Sequence, residues 1–431
     1  MRRLAVLSLH TSPLAQPGTG DGGGMNVYVR ELSTALARAG AECDVFTRAY
    51  DERLPTVMHV EPGFRVHHVK AGPVGPVEKA KLPELVDEFT AGVLAVMEAA
   101  CTGDPDLGLD RGAGYEAVPF DAVHANYWLS GLAGHRIKHH LDLPLISTFH
   151  TLDRVKAEVA PEEDAWSGGL RRAEAEAAII QCSDAVLASC SVEAEQLVEL
   201  YDAEPERISM VPPGVDHAFF APGHKPQARR AIGLPSAAPL LLFVGRIQPL
   251  KGAEVAIRSL AELTEFPSAT LVVVGGPSGP EGEEHLHALG RLARNLGVPG
   301  RIRFVPPQPH ELLSSYYRAA DVCLVPSRSE SFGLVALEAA ACGTPVVASA
   351  IGGLTTLVDD GRTGYLVDVD PGKAPQAFAE AAALVLRDSL EADRMSTASV
   401  IRARRYTWAH AAEVLLAEYE SLVASRLVEC G

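Results

Sequence analysis

Two acidic residues stand inside a run that is otherwise small or apolar. The segment SRSESFGLVALEAAACGTPVVAS (327–349) carries Glu330 and Glu338. A carboxylate beside a protein core is unfavourable unless it is hydrogen-bonded or binds a ligand. The pattern predicts a helix that begins near Phe332 or Gly333, so that free backbone N–H groups there can bind an anion. We expect Glu338, about two turns inside this helix, to accept the vicinal hydroxyls of a ribose. Glu330 could accept sugar hydroxyls, or it could be an ordinary helix-start acid.

Two basic residues lie in the segment FVGRIQPLKG of the same half of the chain. Arg246 ends a predicted strand, and Lys251 follows five residues later, in the loop before the next helix. In a chain of formal net charge -17, two such cations suit a diphosphate, because an anionic ligand needs a local basic pocket. Solvated loop charges are the alternative.

A glycine-rich segment near the start, HTSPLAQPGTGDGGGMNVYV, contains Gly18-x-Gly20-x-x-Gly23. This matches the dinucleotide fingerprint, which is weak evidence when it stands alone. The loop 13–17 separates it from the preceding strand, and CDVFTR, the next strand, ends without the ribose-binding acid that a nicotinamide site needs. We predict instead a glycine loop whose amides, with Asn26 at the helix start, face a ligand. An NAD-dependent oxidoreductase stays as an alternative class.

Strands and helices alternate through both halves of the chain and would position these residues. Short apolar runs predict buried strands, as in LAVLSLH, CDVFTR, PLLLFVGR and DVCLVPS. The amphipathic stretches between them predict helices. This order predicts an α/β fold with two doubly wound parallel sheets, whose ligands bind beyond the carboxyl ends of the strands. We predict a first domain over 1–213, a second over 214–405, and a closing helix within 406–431 that crosses back to the first. The default site is the cleft between the domains.

Composition excludes several classes of function. The 431 residues are 47% hydrophobic with a net charge of -17, which disfavours nucleic-acid and anionic-membrane partners. No apolar run reaches the ~20 residues of a membrane helix. The seven cysteines form no Cys-x-x-Cys pair, so buried reduced thiols in a cytoplasmic protein are expected.

The pattern of Arg246, Lys251 and the Glu330–Glu338 pair resembles the donor site of retaining glycosyltransferases of family 4, and the resemblance runs from His10 to YTW near the C-terminus. It implies the GT-B fold, two Rossmann-like domains around a cleft, and a nucleotide-sugar donor. The Arg and the Lys would hold the diphosphate, Glu330 the transferred sugar and Glu338 the ribose. The resemblance adds further donor-binding positions: Gly23, Gly24, Gln308, Ser331, Phe332, Gly333 and Leu334.

Within that family, the first half is similar to the mycothiol-pathway branch, which transfers N-acetylglucosamine from UDP to an inositol phosphate. The acceptor-binding positions that this implies are His10, Asn26, Lys79, Tyr127, Thr151 and Arg172. Two cations and two hydroxyls among them would form a good phosphate clamp. A homodimer is expected from relatives.

Some acceptor-side positions depart from the branch. Val74-Gly75 replaces an aromatic-acidic pair, and His124-Ala125-Asn126 replaces a His-Ser-His sequence. The acceptor's identity therefore stays open. A relative that acts on an unphosphorylated thiol or hydroxyl metabolite of antibiotic biosynthesis, with a GDP-sugar, is the alternative.

The expected reaction keeps the anomeric configuration and needs no cofactor or metal. We expect Arg246, Lys251 and Glu330 to be catalytic, with His150 bonding a hydroxyl of the transferred sugar. The leaving phosphate would take the acceptor proton. The acidic triplets DPD (104–106) and DVD (368–370) are interpreted as surface acids rather than metal ligands. A sugar-binding protein without activity is a further alternative.

Overall fold

A computed structural model describes residues 2–18, 20, 22–102, 120–159, 169–234, 238–279, 281–368, 370 and 372–430. The chain divides into two compact units. The first comprises Met1–Leu14, Met25–Pro212 and Trp408–Gly431, and the second comprises Ala15–Gly24 and Pro213–Thr407. These bounds lie within two residues of the predicted ones, except for the loop Ala15–Gly24. That loop was predicted in the first domain and groups with the second unit, because it packs against loops there.

The first unit is built on an eight-stranded sheet with the strand order β3-β4-β2-β1-β5-β6-β7-β8. Every neighbouring pair is parallel except β3 and β4, which form an antiparallel hairpin at the edge. The strands are β1 Arg3–Leu7, β2 Glu42–Arg48, β3 Val57–Glu61, β4 Phe64–Val69, β5 Ala122–Asn126, β6 Leu145–Thr148, β7 Ala185–Ala188 and β8 Ile208–Met210. Every residue of β1, β5, β6 and β7 is buried, because a parallel sheet is covered by helices on both faces.

The described α-helices of this unit are Gly24–Arg38, Val86–Thr102, Trp128–Leu141, Asp153–Val159, Gly169–Cys182, Ser191–Tyr201 and Trp408–Val423. Short 3-10 helices span Lys79–Leu85 and Pro205–Arg207.

The second unit contains a six-stranded parallel sheet with the order β11-β10-β9-β12-β13-β14. Its strands are β9 Leu240–Val244, β10 Thr270–Val274, β11 Ile302–Val305, β12 Val322–Val325, β13 Val346–Ser349 and β14 Gly364–Val367. The helices are Lys225–Ala231, Ala253–Glu262, Gly282–Asn295, His310–Ala319, Leu334–Ala341, Leu354–Leu357, Ala374–Arg387 and Ser389–Ala403, with 3-10 helices at Pro249–Lys251 and Pro299–Arg301. The predicted pair of doubly wound α/β units is confirmed.

The helix Trp408–Val423 completes the first unit, although it follows the second along the chain. The Tyr419 hydroxyl lies 3.0 Å from Nδ1 of His124, and the Trp408 ring meets the edge of Tyr28 with 5.8 Å between the ring centres. None of the helices in the described part of the chain is long and apolar enough to cross a membrane.

The cysteines only partly follow the prediction of reduced thiols. Four of them are buried and free: Cys43, Cys190, Cys323 and Cys342. Cys182 and Cys430 are instead joined as a disulfide, which corrects the prediction for this pair. Their separation of 248 residues hid the pairing, because only the return of the C-terminal segment to the first unit brings them together.

Candidate functional site

Lys251 and Glu330 are in direct contact in the second unit. The Lys251 ammonium donates to Oε2 of Glu330 at 2.6 Å, and the Ser327 hydroxyl donates to the same oxygen at 3.2 Å. Both charged side chains are half-buried. The structure therefore brings together a cation and a carboxylate that lie 79 residues apart in the sequence.

The loops after β9 and β12 carry these two residues and are locked together by backbone contacts. The amide of Arg328 donates to the carbonyl of Leu250 at 2.8 Å. Gly252 has a φ of +70°, and a Cβ at this position would lie 2.1 Å from the carbonyl oxygen of Pro326. Only glycine tolerates both the conformation and the approach. The loops thus form a rigid support for the ion pair.

Arg246 lies against the glycine loop that groups with this unit. Its Nη1 donates to the Ser278 hydroxyl at 3.3 Å. A Cβ at Gly23 would lie 3.2 Å from its Nε, and a Cβ at Gly24 would lie 3.5 Å from Cδ1 of Leu334. The absence of a side chain at position 23 therefore leaves room for the guanidinium. The predicted donor residues of the glycine loop thus adjoin both Arg246 and the start of the helix Leu334–Ala341.

Glu338 is a buried acid on that helix, with 7% of its surface exposed. The Tyr317 hydroxyl donates to its Oε2 at 2.7 Å. Burial raises the pKa of Glu338 to about 7, against a smaller lowering by this hydrogen bond. The carboxyl group therefore titrates near neutral pH, where a ligand that needs the carboxylate form can shift its protonation.

The remaining predicted donor residues lie at positions 331–334 and at position 308. Phe332 is a core residue, packed edge-on against Tyr406 at 5.8 Å, and Gly333 precedes the helix with a φ of +103°. Ser331 and Leu334 are partly buried beside them. The Gln308 amide donates to the carbonyl of Pro306 at 2.8 Å, so this side chain folds onto its own loop.

Five of the predicted acceptor residues come together in the first unit. Two cations lie over the ring of Tyr127, with Nζ of Lys79 at 5.6 Å and Cζ of Arg172 at 4.9 Å from the ring centre. The His10 ring is 4.6 Å from the same ring. Nη2 of Arg172 donates to the carbonyl of Thr151 at 2.7 Å and to its hydroxyl at 3.2 Å. Cation–π contacts of this kind orient both cations around one ring.

Arg172 is held in place by acidic residues. It is 1% exposed, its Nε donates to Oε1 of Glu176 at 2.8 Å, and Asp153 lies 3.4 Å from the same nitrogen. Lys79, by contrast, is exposed. The cluster thus combines one cation fixed by buried carboxylates with one cation that faces solvent.

His150 adopts a left-handed backbone conformation, with a φ of 62°. Its Nε2 lies 2.9 Å from Oδ1 of Asn126, one of the positions that depart from the family branch. Burial, with a smaller contribution from His124, lowers the pKa of His150 to about 3. The imidazole is therefore neutral at physiological pH, and the Asn126 oxygen fixes the proton on Nε2.

Asn26 already has partners within the chain, and its acceptor contact stays a prediction. It is buried, and its amide nitrogen donates to the Thr11 hydroxyl at 2.6 Å and to the carbonyl of Ser12 at 2.5 Å. These bonds fix the loop after β1.

Some residues that contact the site were not predicted from the sequence. Ser327 lies in the segment that carries Glu330 and Glu338, but the serine itself was not predicted. Ser278 lies in the segment GGPSGP, whose glycines and prolines by themselves indicate only a turn. Tyr317 and Glu176 each hold a predicted residue through one hydrogen bond, and no local motif marks them as partners. Asn126 holds His150 in the same way, and the sequence marked its position only as a departure from the family branch.

The described residues of the acidic triplet DVD (368–370) are its two aspartates. Asp370 is exposed and pairs with Lys373 at 3.5 Å, and neither it nor Asp368 belongs to the cluster of metal-ligating side chains found in the described part of the chain. The triplet at 104–106 lies outside the described residues.

Two protein-family models match the chain. The model described as glycosyl transferases group 1 matches residues 224–400, and the model of a glycosyl transferase 4-like domain matches residues 23–214. Each match falls mainly within one structural unit.

Curated relatives are similar over almost the whole length. The chain is 44% identical to a D-inositol 3-phosphate glycosyltransferase of Acidothermus cellulolyticus over 99% of its own length and 91% of the relative. It is 46% identical to a protein of the same description from Mycolicibacterium smegmatis, over 97% of this chain and 91% of that one.

Solved structures show the same fold. Sucrose-phosphate synthase from Thermosynechococcus elongatus superposes with a TM-score of 0.87 at 33% identity, covering 98% of this chain and all of the other. HepE of Anabaena, solved with UDP and glucose, superposes with a TM-score of 0.75 at 18% identity, covering 98% and 100%, which shows the fold alone. The GT-B fold expected from the resemblance is confirmed.

Proposed function

Since the chain belongs to the glycosyltransferase family that includes the D-inositol 3-phosphate glycosyltransferases, we propose that it transfers N-acetylglucosamine from UDP to an inositol phosphate, with retention and without a metal. One observation carries the acceptor assignment. Lys79 and Arg172 both lie over the ring of Tyr127, at 5.6 Å and 4.9 Å from its centre.

The cluster around Tyr127 suits a phosphate monoester. Lys79 supplies positive charge, and Arg172 adds guanidinium N–H groups whose charge Glu176 and Asp153 already balance. The hydroxyls of Tyr127 and Thr151 are hydrogen-bond donors that an anion can use. Because Glu176 fixes the guanidinium of Arg172, its orientation is set before the ligand arrives. Preorganised donors lose little entropy on binding.

The donor assignment rests on the ion pair of Lys251 with Glu330 and on Arg246. A diphosphate that reaches Lys251 would replace the carboxylate of Glu330 as its partner, and this exchange would free Glu330 to accept sugar hydroxyls. Arg246 would take the second phosphate, and Glu338 the ribose. Each exchange replaces one charged hydrogen bond by another, so breaking the existing contacts costs little binding free energy.

In the proposed reaction, an acceptor hydroxyl oxygen attacks the anomeric carbon from the face on which the diphosphate departs. The bond between that carbon and the β-phosphate oxygen breaks, and the leaving oxygen takes the acceptor's proton. Arg246 and Lys251 stabilise the charge that develops on the leaving group, which is electrostatic preorganisation. His150, neutral with its proton on Nε2, would orient a hydroxyl of the sugar through its other nitrogen.

A second candidate acceptor is an unphosphorylated metabolite, with a GDP-sugar as donor. Asn126 favours it, because this departure from the family branch contacts His150 directly. The donor chemistry is the same in both cases.

A mass-spectrometric assay with UDP-N-acetylglucosamine and D-inositol 3-phosphate tests the proposal. We expect a product that carries both components, and turnover on unphosphorylated inositol that is ~10- to 100-fold lower, since a charged hydrogen-bonded pair is lost. Lys79→Ala should raise the KM for the phosphorylated acceptor. The matched control is Lys81→Ala, whose exposed lysine pairs with Glu78.

Equal turnover on inositol and its phosphate, or an unchanged KM in Lys79→Ala, would refute the phosphate clamp. If no product forms with UDP-N-acetylglucosamine but one forms with a GDP- or ADP-sugar, the donor assignment fails while the class of reaction stands.

A further inference from the structure

Four side chains that the proposed reaction does not use meet in the first unit. His135 and His139 are one turn apart on the helix Trp128–Leu141, Cys182 ends the helix Gly169–Cys182, and Cys430 lies in the segment after the last helix. One nitrogen or sulfur atom of each lies within 4.8 Å of the corresponding atoms of the others. Three separate stretches of chain thus supply two imidazoles and two sulfurs to one point.

Four of the six distances among these atoms match those between the ligands of a tetrahedral metal site. The Nε2 atoms of His135 and His139 are 3.2 Å apart. The sulfur of Cys430 lies 3.2 Å from Nε2 of His139 and 3.8 Å from Nε2 of His135, and the sulfur of Cys182 lies 3.5 Å from Nε2 of His139. Zinc with Zn–N of ~2.0 Å and Zn–S of ~2.3 Å places its ligands ~3.3–3.8 Å apart. Four ligand–ligand distances are therefore within ~0.3 Å of that range.

We propose that His135, His139, Cys182 and Cys430 bind a structural zinc ion in the reduced protein. A tetrahedral set of two sulfurs and two nitrogens selects zinc among the common divalent ions. Four protein ligands leave no open position, which is typical of a structural and not a catalytic site. On binding, the two thiols each lose a proton to solvent and coordinate as thiolates.

The disulfide between Cys182 and Cys430 is the oxidised state of the same four side chains. A dithiol reductant supplies the two electrons and two protons that convert it to two thiols, and is itself oxidised to a disulfide. Metal binding and disulfide formation therefore exclude each other, because both use the same two sulfurs.

Contacts other than the sulfur–sulfur bond hold the four residues in place. Asp184 accepts from the amide of Val428 at 2.7 Å through Oδ1, and from the amide of Leu145 at 2.7 Å and Nζ of Lys138 at 2.8 Å through Oδ2. Nζ of Lys138 also donates to the carbonyl of Cys182 at 2.8 Å. This buried network joins the tail, the histidine-bearing helix and the end of the second helix, so the ligands stay adjacent when the disulfide is reduced.

The test uses the full-length, tag-free chain purified under reducing conditions and dialysed against metal-free buffer. Zinc is added, the excess is removed, and the bound metal is counted by atomic emission; cobalt serves as a spectroscopic probe of geometry. Cys430→Ser and His139→Ala each remove one proposed ligand. His140→Ala is the matched control, since His140 is the next residue of the same helix, is exposed, and pairs with Glu98 at 3.0 Å.

We expect about one zinc per chain, and an intense tetrahedral cobalt spectrum with sulfur-to-metal charge transfer, in the wild-type protein and in His140→Ala. Both ligand variants, folded by circular dichroism, should lose at least ~90% of the bound zinc. The proposal is overturned if the reduced wild type binds no more zinc than Cys430→Ser, or if cobalt gives an octahedral spectrum. It is also overturned if alkylation shows that the disulfide persists under a dithiol reductant.

Discussion

The affinity for the nucleotide-sugar should fall as the pH drops below 7, because of Glu338. Its pKa is raised to about 7 by burial when no ligand is bound. Two ribose hydroxyls need the carboxylate as acceptor, so binding has to remove the proton. The sign follows from linkage: the bound state holds fewer protons, so affinity is complete above pH 7 and is lost below it. For the folding of the ligand-free protein the expected sign is opposite. Because the pKa of Glu338 is raised in the folded state, its contribution to stability should be lost as the pH rises from 4.5 to 7.

The size of the effect can be worked from the pKa shift. If ribose returns the pKa of Glu338 to its ordinary value of 4.5, the change is about 2.5 units, or ~3.4 kcal/mol between the two protonation states. Between pH 8 and pH 6 the dissociation constant should then rise about tenfold, which corresponds to ~1.4 kcal/mol. At pH 6.5, about 0.75 proton should be released for each donor bound.

Isothermal titration calorimetry in buffers of different ionisation enthalpy measures both quantities. The donor sugar nucleotide is the right ligand, because its diphosphate does not titrate in this range. Glu338→Gln should bind more weakly, with no dependence on pH and no proton release. Tyr317→Phe should move the midpoint upward, because it removes the hydrogen bond that lowers the pKa of Glu338. A wild-type affinity that is constant from pH 6 to 8, with no proton released, would refute the ribose contact.

Three further predictions concern single residues. Lys251→Ala should reduce kcat by ~10²–10³, because it removes a group that stabilises the charge of the leaving group. Arg328→Ala, on the adjoining loop, should leave kcat unchanged. Equal kcat values for the two variants in steady-state kinetics would contradict the assignment. Gly23→Ala should raise the donor KM severalfold, because its Cβ would lie 3.2 Å from the guanidinium of Arg246. Gly300→Ala, where no atom lies within 4 Å of the new Cβ, should leave the donor KM unchanged. Burial lowers the pKa of His124 to about 3 in the folded protein. As the pH drops below 6.5, this histidine is therefore protonated in the unfolded chain but not in the folded one, and the free energy of unfolding decreases. From pH 7 to pH 5 the wild type should therefore lose ~2 kcal/mol more than His124→Gln in urea unfolding, and equal losses would contradict this.

The sequence was sufficient for features that depend on local pattern. Strands β9 and β12 are continuous apolar runs, and their carboxyl ends must meet at one edge of a parallel sheet. Lys251 and Glu330 follow these ends, so their proximity could be expected from the element order. The start of the helix at Leu334, directly after the predicted Gly333, follows from the same reading.

Other features depend on partners that no local pattern reveals. The strand β4, FRVHHV, was not predicted, because its histidines interrupt the apolar run. His67 is buried there only because its Nε2 meets Oδ1 of Asp44 at 2.7 Å. The amide of Asn26, predicted to face a ligand, has acceptors in the loop after β1. In each case a residue distant in sequence supplies the partner, and spacing within one segment carries no information about it.

The return of the helix Trp408–Val423 to the first unit has a consequence for the order of biosynthesis. Domains generally fold as units while the chain is being made, starting from the N-terminus. Here the ring of Trp408 and the hydroxyl of Tyr419, which cover Tyr28 and His124, are translated only after the whole second unit. The unit that begins first is therefore completed last, and a recombinant fragment that ends at Pro212 would lack part of its own core. A separately expressed first unit should instead carry the terminal helix on a short artificial linker.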